Sequence, residues 1–157
     1  MKLIVAIDDD NGISKNGEIP WKCPEDQKFF KLLTTGGIVV MGRKTADTLG
    51  RALPNRENLV MSRSPYNRLG FTRITEEDLF LNFKIWEKQD LWVVGGAEIY
   101  KHCLENGYVS TVYLSHISGT HGCDNHFFPF KYGGDPVFLS SYNLSDSCMV
   151  EKYKINY

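Results

Sequence analysis

Asp26 is a carboxylate placed among apolar side chains. At about 100° per residue, a helix over residues 25–34 sets Asp26 on one face with Phe29, Phe30 and Leu33, and sets Lys28 and Lys31 on the other. Two readings are open. An acid in a first turn complements the helix dipole. Alternatively, it lies on the floor of an apolar pocket, where desolvation raises its pKa. There it could bind a cationic or amidine-like ligand edge and take part in proton transfer.

Three other stretches could contribute to such a site. Residues 11–21 (Asn-Gly-Ile-Ser-Lys-Asn-Gly-Glu-Ile-Pro-Trp) hold two glycines and a proline and read as a loop. With Ile13, Ile19 and Trp21 they could be a tacked-down connector or a water-excluding lid. Val39-Val40-Met41-Gly42-Arg43-Lys44-Thr45 ends a strand and opens a short helix. Free N–H groups at a helix start attract phosphate. Met61-Ser62-Arg63-Ser64 repeats the hydroxyl and cation after the next strand. Finally, Trp92-Val93-Val94-Gly95-Gly96-Ala97-Glu98-Ile99-Tyr100 joins a buried strand to an amphipathic helix through adjacent glycines. Those glycines serve a tight turn or let the backbone press against a ligand. His116, His121, Cys123, Asp124 and His126 crowd together but match no compact zinc spacing, so no metal is expected.

The elements that must hold these residues follow from the apolar runs. Residues 3–7, 38–41, 59–61, 91–94 and 112–114 are apolar throughout or nearly so, as in strands buried on both faces of a parallel sheet. Helices are expected over 25–34, 45–49, 76–83 and 97–105. Thr75 and Asp78 would cap the third, and Asn106-Gly107 would stop the fourth. Residues 137–143 and 150–157 flank Leu144-Ser145-Asp146-Ser147 as an antiparallel hairpin, with Tyr153, Ile155 and Tyr157 alternating with polar residues. The expected fold is a single α/β domain over residues 1–157. It has a mixed, mostly parallel central sheet, helices on both faces and a C-terminal antiparallel hairpin.

Composition narrows the function classes. The 157 residues make one domain's worth of chain, 42% hydrophobic and 24% charged. Lys and Arg number 18 and Asp and Glu 19, a formal charge of −1, so no basic excess points to nucleic acid. The five apolar residues before Asp8-Asp9-Asp10 are too few for a signal peptide, and no run reaches the ~18 apolar residues of a membrane span. The four scattered cysteines read as separate thiols of a cytoplasmic chain.

Taken in order, these segments resemble the dihydrofolate reductase family across nearly the whole chain. The pieces are Gly12-Ile13 through Pro20-Trp21, Pro24-Glu25-Asp26 with Phe29-Phe30-Lys31, and Val40-Met41-Gly42-Arg43-Lys44-Thr45. They continue with Gly50-Arg51-Ala52-Leu53-Pro54-Asn55-Arg56, Val94-Gly95-Gly96 with Ile99-Tyr100, and Asp124 with Phe127-Phe128-Pro129. The resemblance implies NADPH-dependent reduction of 7,8-dihydrofolate to tetrahydrofolate, with hydride to C6 and a proton to N5. The length fits a monofunctional enzyme.

The resemblance also implies residue roles. Asp26 would bind the pteridine edge and promote protonation, helped by Trp21, which holds a water, and by Ser115, whose hydroxyl would bond the acid. Ile4, Val5, Ala6, Phe30, Lys31 and Leu49 would line the substrate region, with Arg51, Leu53, Val94 and Tyr100. Arg56 would grip the glutamate carboxylate, where a bidentate fork is apt. Ala6, Ile13, Gly42, Arg43, Lys44 and Thr45 match cofactor positions, as do Ser62, Arg63, Gly95, Gly96, Ala97, Glu98, Ile99 and Tyr100. Lys44 and Arg63 would hold the 2′-phosphate. Glu98 departs from members with a basic residue there. The Gly95–Gly96 bond would be cis. The segment 123–129 carries one residue more than expected before its proline. Expected partners are dihydrofolate and antifolate inhibitors, with no nucleic acid or membrane, and the chain is expected to act as a monomer. Two rivals are the related reductase of riboflavin synthesis, which lacks the Pro20-Trp21, Asp26 and Arg56 set, and a nucleotide-binding module, which would not need Asp26.

Overall fold

Alternation within each apolar run sends its residues to opposite sides of one sheet. The computed structural model describes residues 1–157. Its elements run β1 (Lys2–Ile7), β2 (Gly12–Ser14), α1 (Pro24–Thr34), β3 (Ile38–Gly42), α2 (Arg43–Leu49), β4 (Glu57–Met61) and β5 (Phe71–Ile74). They continue with α3 (Glu76–Glu87), β6 (Leu91–Val93), α4 (Ala97–Glu105), β7 (Thr111–Ile117), β8 (Asn125–His126), β9 (Asp135–Ser145) and β10 (Cys148–Asn156). Leu3, Val5, Ile38, Val40, Leu59 and Val93 enter the larger core, under Leu79 of α3 and Tyr100, Cys103 and Leu104 of α4. Ile4, Val39, Met41, Val60 and Trp92 enter a second core, under Ala46 of α2 and the ring-bearing face of α1. Runs apolar throughout are therefore required, because both faces are covered.

The eight-stranded sheet has the order β5-β4-β3-β6-β1-β7-β10-β9. Its first six strands are parallel. β7 pairs antiparallel with β10, and β10 with β9, giving the expected C-terminal hairpin. The chain leaves β1, skips one place to β3 and later returns to fill the gap with β6. Such a switch in order opens a crevice at the carboxyl ends of the strands.

Several local expectations change. Residues 11–21 are not all loop: Gly12–Ser14 forms β2, which pairs with β8. Beyond it, Lys15 and Glu18 exchange backbone hydrogen bonds around Asn16 (φ 50) and Gly17 (φ 81). Positive φ at both central residues makes a two-residue hairpin turn. α2 starts two residues early, at Arg43, because extended Gly42 already serves as its N-cap. α3 continues past Phe83 to Glu87, since no breaker intervenes. Its Thr75–Asp78 capping box is present. β5 was not expected. In the C-terminal hairpin β9 extends to Ser145, leaving Asp146 and Ser147 as the turn.

Candidate active site

α1 enters through Pro24 at its first turn, with Glu25 and Asp26 complementing the dipole. The same geometry turns Asp26 toward the sheet and its partner on β7. Asp26 is half-buried. Ser115, buried on β7, donates its hydroxyl to Asp26 Oδ1 at 2.6 Å. Burial raises the Asp26 carboxyl above its ordinary range, and the Ser115 hydrogen bond opposes that rise.

The surroundings come from several elements and the loops between them. Tyr100 of α4 is buried and donates its hydroxyl to the Ile4 carbonyl at 2.7 Å, tying α4 to β1. Burial, then the nearby Asp26 charge, raises its phenol, so it stays a donor. Cys148 of β10 is also buried. Burial first, then Asp26 and Cys23, push its thiol up to about 12. Trp21 packs with Cys23, Ile117 and Cys148 in a third small core, with Ala6 against it. Ile4 and Val5 are buried; Phe30, Leu53 and Val94 are half-buried; Leu49, Lys31 and Arg51 are exposed along the rim.

Arg56 is positioned from three sides. Its Nε donates to the Pro54 carbonyl at 2.9 Å, its Nη1 to Thr34 Oγ1 at 3.0 Å, and its guanidinium lies 5.8 Å from the Phe30 ring centre. Sequence reasoning missed the side chain that shapes this loop. Buried Asn58 accepts from the Leu53 amide and donates to the Leu53 and Arg56 carbonyls. An asparagine between Glu57 and the apolar run Leu59–Met61, at the start of a strand, was the available signal.

Most of the expected cofactor residues gather at the carboxyl ends of β3, β4 and β6, while Ala6 lies near the end of β1 and Ile13 on β2. The Gly95–Gly96 bond is cis. Gly95 has φ +129, and a Cβ there would come within 3.6 Å of Tyr100 and Thr45. The Gly42 amide donates to the Gly95 carbonyl at 2.8 Å, and a Cβ on Gly42 would meet Ile99 at 2.9 Å. Gly96 caps α4, and no side chain closes the first-turn amides of that helix. Ile13 is buried, while Ala97 and Ile99 pack against the larger core.

Beside them lies an open cleft of about 1030 Å³, lined among others by Ser62, Arg63, Thr75, Glu98 and Ile99. Its second arginine was not expected. Arg73 donates to the carbonyls of Ser62 (2.9 Å) and Arg63 (2.7 Å), which orients its guanidinium beside Arg63. No acid of the chain forms an ion pair with either arginine. Arg43 points elsewhere, donating to Ser64 Oγ at 2.7 Å and lying over Tyr66. Lys44 is exposed on α2, and Glu98 is exposed at the start of α4.

The histidines of β7 and of the segment after it do not converge on one point. His116 pairs with Glu151, and no three His, Cys, Asp or Glu side chains are placed to hold an ion. No helix is long and apolar enough to cross a membrane.

A family model described as dihydrofolate reductase matches residues 1–138. The dihydrofolate reductase of Bacillus subtilis (strain 168) is 32% identical over 147 residues, 93% of this chain and 86% of its own length. That of Haemophilus influenzae is 35% identical over 127 residues, 81% of this chain and 77% of its own. Among solved structures, a dihydrofolate reductase from Enterococcus faecalis complexed with NADP(H) and RAB-propyl has a TM-score of 0.83 at 26% identity. That match covers 99% of this chain and 96% of that one.

Proposed function

The chain belongs to the dihydrofolate reductase family, and from that premise we propose how its own residues carry the NADPH-dependent reduction of 7,8-dihydrofolate. The observation that carries the proposal is Asp26: one carboxyl, raised by burial and held by the Ser115 hydroxyl, on the apolar floor between α1 and β7. When bound, NADPH supplies the hydride that reduces C6. Asp26 binds the amino and ring-nitrogen edge of the pterin and promotes delivery of a proton to N5. A raised carboxyl suits this task, because a catalytic pKa works best near the operating pH. Ser115 fixes which carboxylate oxygen faces the ligand, and Trp21 holds one ordered water beside it while keeping bulk water out. Phe30, Leu53 and Val94 pack the rings, and Arg56 takes the glutamate carboxylate.

The residues present fit the dinucleotide. Two unpaired arginines, open first-turn amides on α4 and a glycine pair suit phosphates and close backbone approach. Arg63 and Arg73, with Lys44 nearby on α2, would hold the 2′-phosphate and favour NADPH over NADH. The chain would act as a cytoplasmic monomer. Two register shifts between β9 and β10 bend the exposed edge strand, and bulges of this kind discourage edge-to-edge pairing.

Absorbance at 340 nm tests the reading. It should fall when NADPH and dihydrofolate are both present, and an antifolate that copies the pteridine edge should block the loss. Unchanged absorbance with folded protein would reject the function. Light scattering should give one species of 17.9 kDa.

A further inference from the structure

Only two buried polar side-chain atoms lack a hydrogen-bond partner, Trp92 Nε1 and His121 Nδ1. His121 is the informative one, because an anion lies beside it: Asp8 Oδ2 at 3.5 Å. Asp8 is 3% exposed and richly bonded. Its Oδ1 accepts the amides of Asp10 (2.9 Å) and Gly12 (2.8 Å), and its Oδ2 accepts the His121 amide (3.0 Å) and the Cys123 thiol (3.6 Å). Burial works to raise this carboxyl, but the three amides and the thiol outweigh it and hold it below its ordinary value. Asp8 is therefore a fixed anion, and the His121 ring turns its Nδ1 toward it at 3.5 Å. The ring cannot turn without losing that approach.

The ring held in this way meets Trp21 in an edge-to-face arrangement, with centroids 5.2 Å apart and planes at 64°. No other aromatic ring contacts Trp21. Other links between residues 8–14 and 119–127 use both side chains and backbone: Asn125 Nδ2 donates to Ser14 Oγ (3.2 Å), Asn11 Nδ2 to the Phe127 carbonyl (3.2 Å) and the Gly119 amide to Asp9 Oδ2 (2.9 Å). The Asp9 amide donates to the Gly119 carbonyl, the Asp124 amide to Ser14, and the Phe127 amide to Asn11. They align the two segments but do not orient the indole.

We propose that His121 is a positioning residue for the reduction: facing Asp8, its ring holds Trp21 against the small core beside Asp26. The proposal rests on the reductase reading above. Its consequence falls on Asp26, whose carboxyl is raised by the absence of bulk water. The groups facing that acid are Ser115 from β7, Tyr100 from α4 and Cys148 from β10, and Cys23 and Glu25 act in turn on Cys148. None of them changes when His121 is removed. A loosened Trp21 admits bulk water, so the Asp26 carboxyl falls toward its ordinary range.

His121→Ala should slow single-turnover hydride transfer at pH 7 by about three- to tenfold, the worth of one aromatic contact. KM for NADPH should stay within about twofold, since the cofactor cleft is not touched. The curve of rate against pH should move to lower pH. Adding His121→Ala to Trp21→Leu should cost nothing further, because coupled residues are not additive. The Trp21 share of the emission (intact chain minus Trp21→Leu) should shift red as the indole becomes wet. If the alanine variant does not fold, His121→Gln still reaches toward Asp8 but presents no ring, and should give the same losses. Additive losses with unchanged emission in an active enzyme overturn the role of His121 alone. Failure of the unmodified chain to oxidise NADPH with dihydrofolate overturns the reductase reading itself, and the role with it.

Discussion

Asp26 sits where an ionised group is least welcome, and that sets a trade between function and stability. Its carboxyl is raised in the folded protein relative to the unfolded chain, by burial against the opposing Ser115 bond. The folded state therefore binds this proton more tightly. The contribution to stability is greatest at low pH and is lost as pH rises above the ordinary carboxylate range. Asp26→Asn keeps the shape and removes the charge. At pH 7 it should melt at or above the parent temperature, and the difference should close as pH falls to where both states hold the proton. Hydride transfer at pH 7 should fall about 10²-fold or more, with a smaller loss at low pH, where substrate arrives protonated. A variant that melted well below the parent at pH 7 would show that the acid is structural. Ser115→Ala acts in the opposite direction to water entry. It removes the bond that favours the charged form, so the rate curve should move to higher pH.

The elements around the acid are held by contacts between distant parts of the chain. Gly12 of β2 illustrates this. A Cβ there would lie 2.5 Å from Cys123 Cβ and Sγ and 2.9 Å from Asp8 Oδ1. Those atoms belong to the anchored carboxylate and to the segment paired with β2, so neither can move cheaply. Gly12→Ala should cost about 1–3 kcal/mol of overpacking, about 2–4 °C of melting temperature for each kcal/mol. It should also slow hydride transfer through the displaced Trp21 loop. An unchanged melt would mean that the two segments part freely. The same distance explains what local pattern could not reveal. β2 has three residues and β8 two, too few for a period to register, and their pairing spans more than a hundred positions. β5 is a four-residue edge strand whose alternation is too short to read. α3 exposes Phe80, Leu81 and Ile85, so its far end carries no clear polar face. By contrast, the doubly buried strands, the Thr75–Asp78 cap and the apolar face bearing Asp26 were legible. Each is written within one turn or one strand of local sequence. Asp8, Asn58 and Arg73 escaped notice because their positions are set largely by backbone partners that only folding supplies.

At the scale of the molecule, strand order gathers distant residues of a nearly neutral chain on one side of the sheet. The carboxyl ends of β3, β4 and β6 bring Ser62, Arg63 and the glycine pair to one side, and Arg73 reaches over from β5. The total charge of −1 hides this local cation pair. The cleft is not uniformly basic: Glu76, Glu77, Glu98 and Glu105 also line it. Any phosphate bound there must be held by the arginines against those carboxylates. The two cofactors differ only at the 2′-phosphate, so the effect of removing the arginines should be selective. Each charge-assisted contact is worth about 1.5–3 kcal/mol, or about ten- to hundredfold in affinity. Arg63→Ala with Arg73→Ala should therefore weaken NADPH binding by about 10²-fold or more, while NADH changes by less than about threefold. The parent's NADPH affinity should also fall with added salt more steeply than its NADH affinity, because the open cleft leaves the contact partly screened. Titrating both cofactors into both proteins, without substrate, measures binding apart from turnover. If the two affinities fall together, these arginines serve the fold of the cleft, and the 2′-phosphate is read by another part of the site, with Lys44 on α2 the next residue to replace.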